Sequence, residues 1–156
     1  MEHVGAMKLI LPHVLHTDLR RYLENAFPNE AGGFLIGEFD GQSEDRIVTE
    51  MRYVENVFET EEQYHRYLMN EGAFQAAEDY ADERGLVLMG YFHSHPNSPA
   101  IPSEFDRVHA LPNFVYLIVS VQDGKAVESL VWLLADDRSR FEPVAFAEKR
   151  SVIPGG

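Results

Sequence analysis

"LVLMGYFHSHPNSPAIPSEFD", residues 86–106, opens as an apolar run and closes on two histidines, three prolines, three serines and an aspartate. The first seven residues read as a central strand, apolar on both faces, as a strand covered on both sides requires. Alternate side chains of a strand share a face, so His93 and His95 project together from its end. That arrangement suits two neighbouring ligands of a tetrahedral metal ion. Pro96 ends the strand. Asp106 follows His95 by eleven residues and falls in the first turn of a short helix, "SEFDRVHAL", that Pro112 ends. The stiff "PNSPAIP" can bring that helix back to the strand end. Two histidines and one carboxylate leave a fourth position open for water, the pattern of a catalytic zinc site. A second reading competes for part of the stretch. Ser103 and Asp106 also fit a helix N-cap with an acidic third residue. Capping accounts for neither the paired histidines nor their place behind a buried strand.

Around this stretch the chain alternates strands and helices. "MKLILP" reads as a first strand. "TDLRRYLENAF" reads as a helix with Thr17 as N-cap, with Leu19, Tyr22, Leu23, Ala26 and Phe27 at helical spacing and Pro28 as the stop. "GGFLIG" is a short apolar strand, and "RIVTEMRYV" returns after a turn in which Asp40-Gly41 supplies a position tolerating positive φ. Residues 55–63 read as a polar loop and "YHRYLM" as a further strand. "NEGAFQAAEDYADERG" is a helix capped by Asn70 and stopped by Gly85, with Ala73, Phe74, Ala77 and Ala81 as its apolar stripe. "FVYLIVSV", "AVESLVWLL" and "RFEPVAFAE" form a meander turning at Asp123-Gly124 and Asp136-Asp137. The order predicts an α/β (α+β-like) single domain with a mixed central β-sheet flanked by helices. Residues 1–7 read as an N-terminal extension, 8–150 as the domain and 151–156 as a flexible tail.

Composition narrows the function. The 156 residues suffice for one domain. A chain this long buries about 70% of its unfolded surface and needs no covalent staples. It contains no cysteine, which excludes disulfides, thiol nucleophiles and Cys-ligated metals, and fits a cytoplasmic location. The formal charge of −13 repels phosphate backbones, so nucleic acid is not the expected ligand. No apolar run approaches the roughly 18 residues of a membrane span. Among the other histidines, His13 and His16 read as surface loop. His65 has no evident partner, and His109 sits one turn beyond Asp106 as an ordinary helix residue or an outer support of the site. Trp132 reads as core.

The signature H-x-H-P, six residues, then S-x-x-D is similar to that of the JAMM/MPN metallopeptidase family. His93, His95, Pro96, Ser103 and Asp106 agree in type and spacing. "NEAGGFLIG" resembles the glutamate that the family places before a short apolar strand, with Glu30 as the counterpart. Gly32 stands where many prokaryotic relatives have Cys. The resemblance spans about residues 8 to 135.

The resemblance implies a cytidine-deaminase-like sandwich. It also implies one Zn2+ per chain with a bound water, held by His93, His95 and Asp106. Glu30 would serve as general base, and Ser103 would donate to the developing oxyanion while also capping its helix. Residue type alone leaves the metal open, since His and carboxylate suit several ions. The implied activity is hydrolysis of a peptide or isopeptide bond at the C-terminal Gly-Gly of a ubiquitin-like or sulfur-carrier protein. Such a tail would add as a strand to a sheet edge, with residues 55–64 as a further contact. Two alternatives stay open: a non-catalytic MPN-type binding module, and a metal-dependent hydrolase of another substrate class. The chain's own "VIPGG" ending reads as a frayed tail or as a product-like tail. Neither the carrier nor the oligomeric state is legible.

Overall fold

A computed structural model describes residues 7–54 and 71–149. Its elements run β1 (Lys8–Pro12), α1 (His13–Ala26), β2 (Gly32–Phe39), β3 (Arg46–Tyr53), α2 (Glu71–Glu83), β4 (Val87–Pro96), α3 (Glu104–His109), β5 (Val115–Gln122), β6 (Lys125–Leu134) and β7 (Phe141–Lys149). The strands lie in the order β1-β3-β2-β4-β5-β6-β7, and β7 pairs back onto β1. The expected single mixed sheet with helices is thus present, and its two ends meet. No helix among the described residues is long and apolar enough to cross a membrane. The expected polar loop and strand over residues 55–69, Asn70, His65 and both termini lie outside the described residues.

β4 is central because it is apolar on both faces. It pairs antiparallel with β2 and parallel with β5. A parallel pair needs a crossover, and here the proline-rich loop and α3 supply it. One cluster packs Leu9, Leu11, Leu19, Leu23, Leu35, Val48, Phe92, Leu117 and Val119 between α1 and the sheet. A second packs Phe34, Ala77, Tyr91, Tyr116 and Leu134, with Phe74 of α2 against it. The β2–β4 register skips Met89, since Leu35 faces Gly90 and Ile36 faces Leu88. Met89 and Phe92 thereby join the same cluster.

Three local readings change. The helix expected to start at Thr17 starts four residues earlier, at His13, with Pro12 at the N-cap (φ −57°). Proline has no N–H to leave unpaired there and its φ suits a helix start. His13 and His16 are therefore helical, and His16 is buried rather than on a surface loop. The turn after β2 does not use Gly41 for positive φ. The Asp40 carboxylate holds it instead, accepting from the Gln42 N–H (3.0 Å) and the Ser43 hydroxyl (3.0 Å). Positive φ does occur as expected at Asp123 and Gly124, as a two-residue hairpin turn demands. Trp132 is half-buried, and its indole N–H donates to the Ala100 carbonyl (3.0 Å).

His16 locks α1 to the sheet. Its Nδ1 lies 2.7 Å from Glu148 Oε2 on β7 and its Nε2 lies 3.0 Å from Ser129 Oγ on β6. Burial holds the His16 pKa below its ordinary 6.5, against the raising effect of Glu148. The unfolded chain then binds the proton first as pH falls through 6.5, so this group withdraws stability on acidification. We expect the urea midpoint of the wild-type protein to fall between pH 7.5 and pH 5 more steeply than that of His16→Gln. Parallel midpoints for the two proteins would contradict it.

Candidate metal centre

β4 has its backbone committed on both sides at the histidines. Gly32 of β2 stands opposite His93, while Ile118 and Ser120 of β5 stand opposite His93 and His95. The two rings share a face with centroids 5.1 Å apart. His93 is 1% exposed and His95 9%. His95 Nδ1 lies 2.8 Å from the Pro99 carbonyl oxygen. A carbonyl only accepts, so Nδ1 carries the proton and Nε2 presents its lone pair. The loop that offers Pro99 is itself pinned. Asn97 N–H donates to the Val121 carbonyl (2.7 Å), Ser120 Oγ to the Ser98 carbonyl (2.6 Å) and Trp132 to Ala100.

Asp106 comes from α3. Ser103 Oγ accepts the Asp106 N–H (3.1 Å), and Asp106 Oδ2 accepts the Ser103 N–H (2.7 Å). Both bonds of the capping box are present, and they aim the carboxylate at the histidines. Two further bonds fasten α3 to the β6–β7 turn: Arg107 Nη1 to the Arg138 carbonyl (2.7 Å) and Arg138 Nη2 to the Val108 carbonyl (3.1 Å). Cap and metal geometry are therefore compatible uses of one residue pair.

His93 Nε2 lies 3.3 Å from Asp106 Oδ1, and His95 Nε2 lies 3.4 Å from Asp106 Oδ2. Both distances exceed an ordinary N–H···O bond. Asp106 is 5% exposed, and its Oδ1 has no hydrogen-bond partner among the described residues. One ligand atom from each of the three residues falls within 4.8 Å of the others. Burial holds both imidazoles below their ordinary pKa, His93 well below. Burial also raises Asp106 to about 6, against the Ser103 N–H and His109. Neutral imidazoles cannot balance the carboxylate. A cation bound by two nitrogens and one oxygen would, so the donor set fits a borderline divalent metal with an open position.

Glu30 stands one residue before Ala31, which joins β4 at Ser94: Ser94 N–H donates to the Ala31 carbonyl (3.0 Å) and Ala31 N–H to Ser94 Oγ (3.1 Å). It is half-buried. Its pKa rises to about 8, first from burial and then from the Asp106 charge. Glu30 thus shares the electrostatic environment of the three-residue group. The β2–β4 approach at this point admits no side chain at Gly32, because a Cβ there would sit 2.2 Å from the Phe92 carbonyl oxygen. Ser103 is exposed. His109 stacks on Phe105 (4.0 Å) and bonds the Phe105 carbonyl (3.0 Å), as an ordinary helix residue does. Sequence reading missed Ser94, Pro99 and Trp132. The one signal for Ser94 was a polar residue on the inward side of an apolar strand.

Comparison with known proteins identifies the family and the fold. A desampylase from Haloferax volcanii is 34% identical over 99 residues, covering 63% of this chain and 66% of the relative, just under two thirds of its length. Among solved structures, a protein from Salinibacter ruber superposes with TM-score 0.69 at 29% identity, covering 88% of this chain and 90% of its own. A protein from Desulfitobacterium hafniense gives TM-score 0.69 at 28% identity, with 92% and 94% covered. A JAB1/MPN domain protein from Archaeoglobus fulgidus shares the fold at TM-score 0.53 and 17% identity, with 89% and 98% covered. The pattern of the family described as prokaryotic homologs of the JAB domain matches residues 12–134, from the end of β1 to the end of β6 and across every residue of the buried group. By that match the chain belongs to the prokaryotic branch of the JAB/MPN, or JAMM, family.

Proposed function

We propose that this chain is a zinc-dependent hydrolase that cuts a peptide or isopeptide bond at the C-terminal Gly-Gly of a ubiquitin-like or sulfur-carrier protein. The observation that carries the reading is Asp106. It is a buried carboxylate with one oxygen left without a hydrogen bond among the described residues, facing two neutral imidazoles. The 34% identity to a protein named desampylase supports a hydrolytic role of the same kind.

Zinc, when bound, would supply a Lewis acid and a water acidified toward neutrality. His93, His95 and Asp106 would hold it. His95 keeps Nε2 available by donating its other ring proton to Pro99, which also fixes the ring plane. Neutralising Asp106 removes one of the two causes that hold the Glu30 pKa up. The Glu30 carboxylate then takes a proton from water and returns it to the leaving amine. Ser103 Oγ is fixed by the bond it accepts from Asp106 N–H. Its own O–H proton points the hydroxyl as a donor toward the developing oxyanion. Glycines suit the substrate position because they bring no Cβ into a narrow approach.

The closed strand order limits where such a tail can add. Among the described residues, β1 pairs with β3 only at Arg46 and Ile47. The far side of β3 beyond Ile47 is therefore the edge that an extended tail would use.

Three outcomes test the reading. The native protein should carry about one zinc per chain, and Asp106→Asn should carry none. The metal-free proteins should rank the other way. A carboxyl raised to about 6 is protonated in the folded state before the unfolded one, so stability falls as pH rises from about 4 to 6 and stays low. Metal-free Asp106→Asn should then melt above metal-free wild type at pH 8, and the gap should close near pH 4. A lower melting temperature for the variant at pH 8 would contradict this. Glu30→Gln should keep its zinc and lose about 10²- to 10⁴-fold in kcat. The substrate is a ubiquitin-like carrier whose Gly-Gly carboxyl is amide-linked to aminomethylcoumarin. Full turnover by Glu30→Gln would remove the base assignment, and turnover insensitive to chelation would remove zinc.

A further inference from the structure

Ser94 lies between the two histidines but points away from them, into the side of the strand opposite the metal group. It is 0% exposed. Directly opposed residues in an antiparallel ladder, where they form a hydrogen-bonded pair, exchange two backbone bonds, each N–H to the other's carbonyl. Ala31 and Ser94 make only the first in that way. Ser94 N–H donates to the Ala31 carbonyl at 3.0 Å. The Ala31 N–H turns instead to the Ser94 hydroxyl oxygen, at 3.1 Å. The serine side chain thus replaces its own carbonyl as acceptor, and the regular β2–β4 pairing ends at Gly32 opposite His93. The next residue back along the chain is Glu30. Gly32 adds a steric limit from the other side, since its missing Cβ would meet the Phe92 carbonyl oxygen at 2.2 Å and His93 Cβ at 3.1 Å. Gly32 pairs directly with His93, so the two strands are in close register at the residue that carries the first imidazole.

We infer that Ser94 is the positioning residue for Glu30: its hydroxyl ends the β2–β4 ladder one bond early and so sets where the Glu30 carboxyl stands relative to His93, His95 and Asp106. The inference rests on the reading of Glu30 as the base. It assigns the middle residue of the H-x-H stretch a function that metal ligation does not require. Alanine at this position would keep the strand and the histidines but leave the buried Ala31 N–H without its acceptor, which it would regain only by shifting the backbone. Threonine would keep an oxygen in the same place.

The test compares wild type, Ser94→Ala, Ser94→Thr and Glu30→Gln, each loaded with Co2+. Three readouts serve: Co2+ per chain, the pH midpoint of the visible Co2+ absorption, and hydrogen exchange of the Ala31 amide. Ser94→Ala should bind Co2+ as wild type does and exchange the Ala31 amide about tenfold faster. Its pH midpoint should move in the direction that Glu30→Gln moves it. Ser94→Thr, which keeps the hydroxyl oxygen, should behave as wild type. A wild-type midpoint in Ser94→Ala despite faster exchange would overturn the inference, as would unchanged exchange. Loss of Co2+ binding in Ser94→Ala would also overturn it, by assigning Ser94 to the histidines instead. Failure of the base reading looks different: Glu30→Gln would then itself show the wild-type midpoint.

Discussion

Taking a carboxylate out of water costs several kcal/mol unless a partner compensates it, and Asp106 is buried beside two imidazoles that burial keeps neutral. The surrounding elements hold that partly compensated charge in place. The capping box fixes the carboxylate on α3, two arginine bonds fix α3 to the β6–β7 turn, and β2 and β5 fix the strand that carries the histidines. A buried charge left partly satisfied is unfavourable for folding alone. It becomes intelligible as the protein side of a group that could hold a cation.

The same constraint explains why the proline-rich crossover is so heavily bonded. A loop whose only task is to link two parallel strands has no need of a buried serine, an indole N–H and a backbone bond from Asn97 along seven residues. Here the loop carries the Pro99 carbonyl that sets the His95 tautomer. Displacing that carbonyl would free the ring to rotate and to exchange its proton between nitrogens. Trp132 is therefore connected, through Ala100, to the loop that holds His95.

Two titrating groups pull stability in opposite directions. His16, buried between α1 and the β6–β7 ribbon, favours neutral pH because protonating it in place is costly. Asp106 favours acid pH in the absence of metal because ionising it in place is costly. The first belongs to the packing of α1, the second to the site. A cation held beside Asp106 would relieve the second alone. The pH at which the fold is most stable should therefore depend on whether the site is filled.

Much of this was legible along the chain. The strand ending at His95, the shared face of the two histidines and the helix that brings back Asp106 all follow from local rules: alternation along a strand, proline as a stop, and Ser-x-x-Asp as a cap. The meander, the stripe of α2 and the family resemblance followed in the same way, because each depends on residues near one another in sequence. What stayed hidden depends on partners far along the chain. His16 looked like a loop residue because Glu148 and Ser129 lie 132 and 113 positions away. Trp132 looked like core because Ala100 is 32 positions away. Ser94 drew no reading because its partner, Ala31, arrives only when β2 pairs with β4. The sequence by itself determined which side chains could make a metal site and on which elements they ride. Only the tertiary structure decided that the sheet closes β7 onto β1, and which buried polar atoms are satisfied. Those properties arise where distant strands meet.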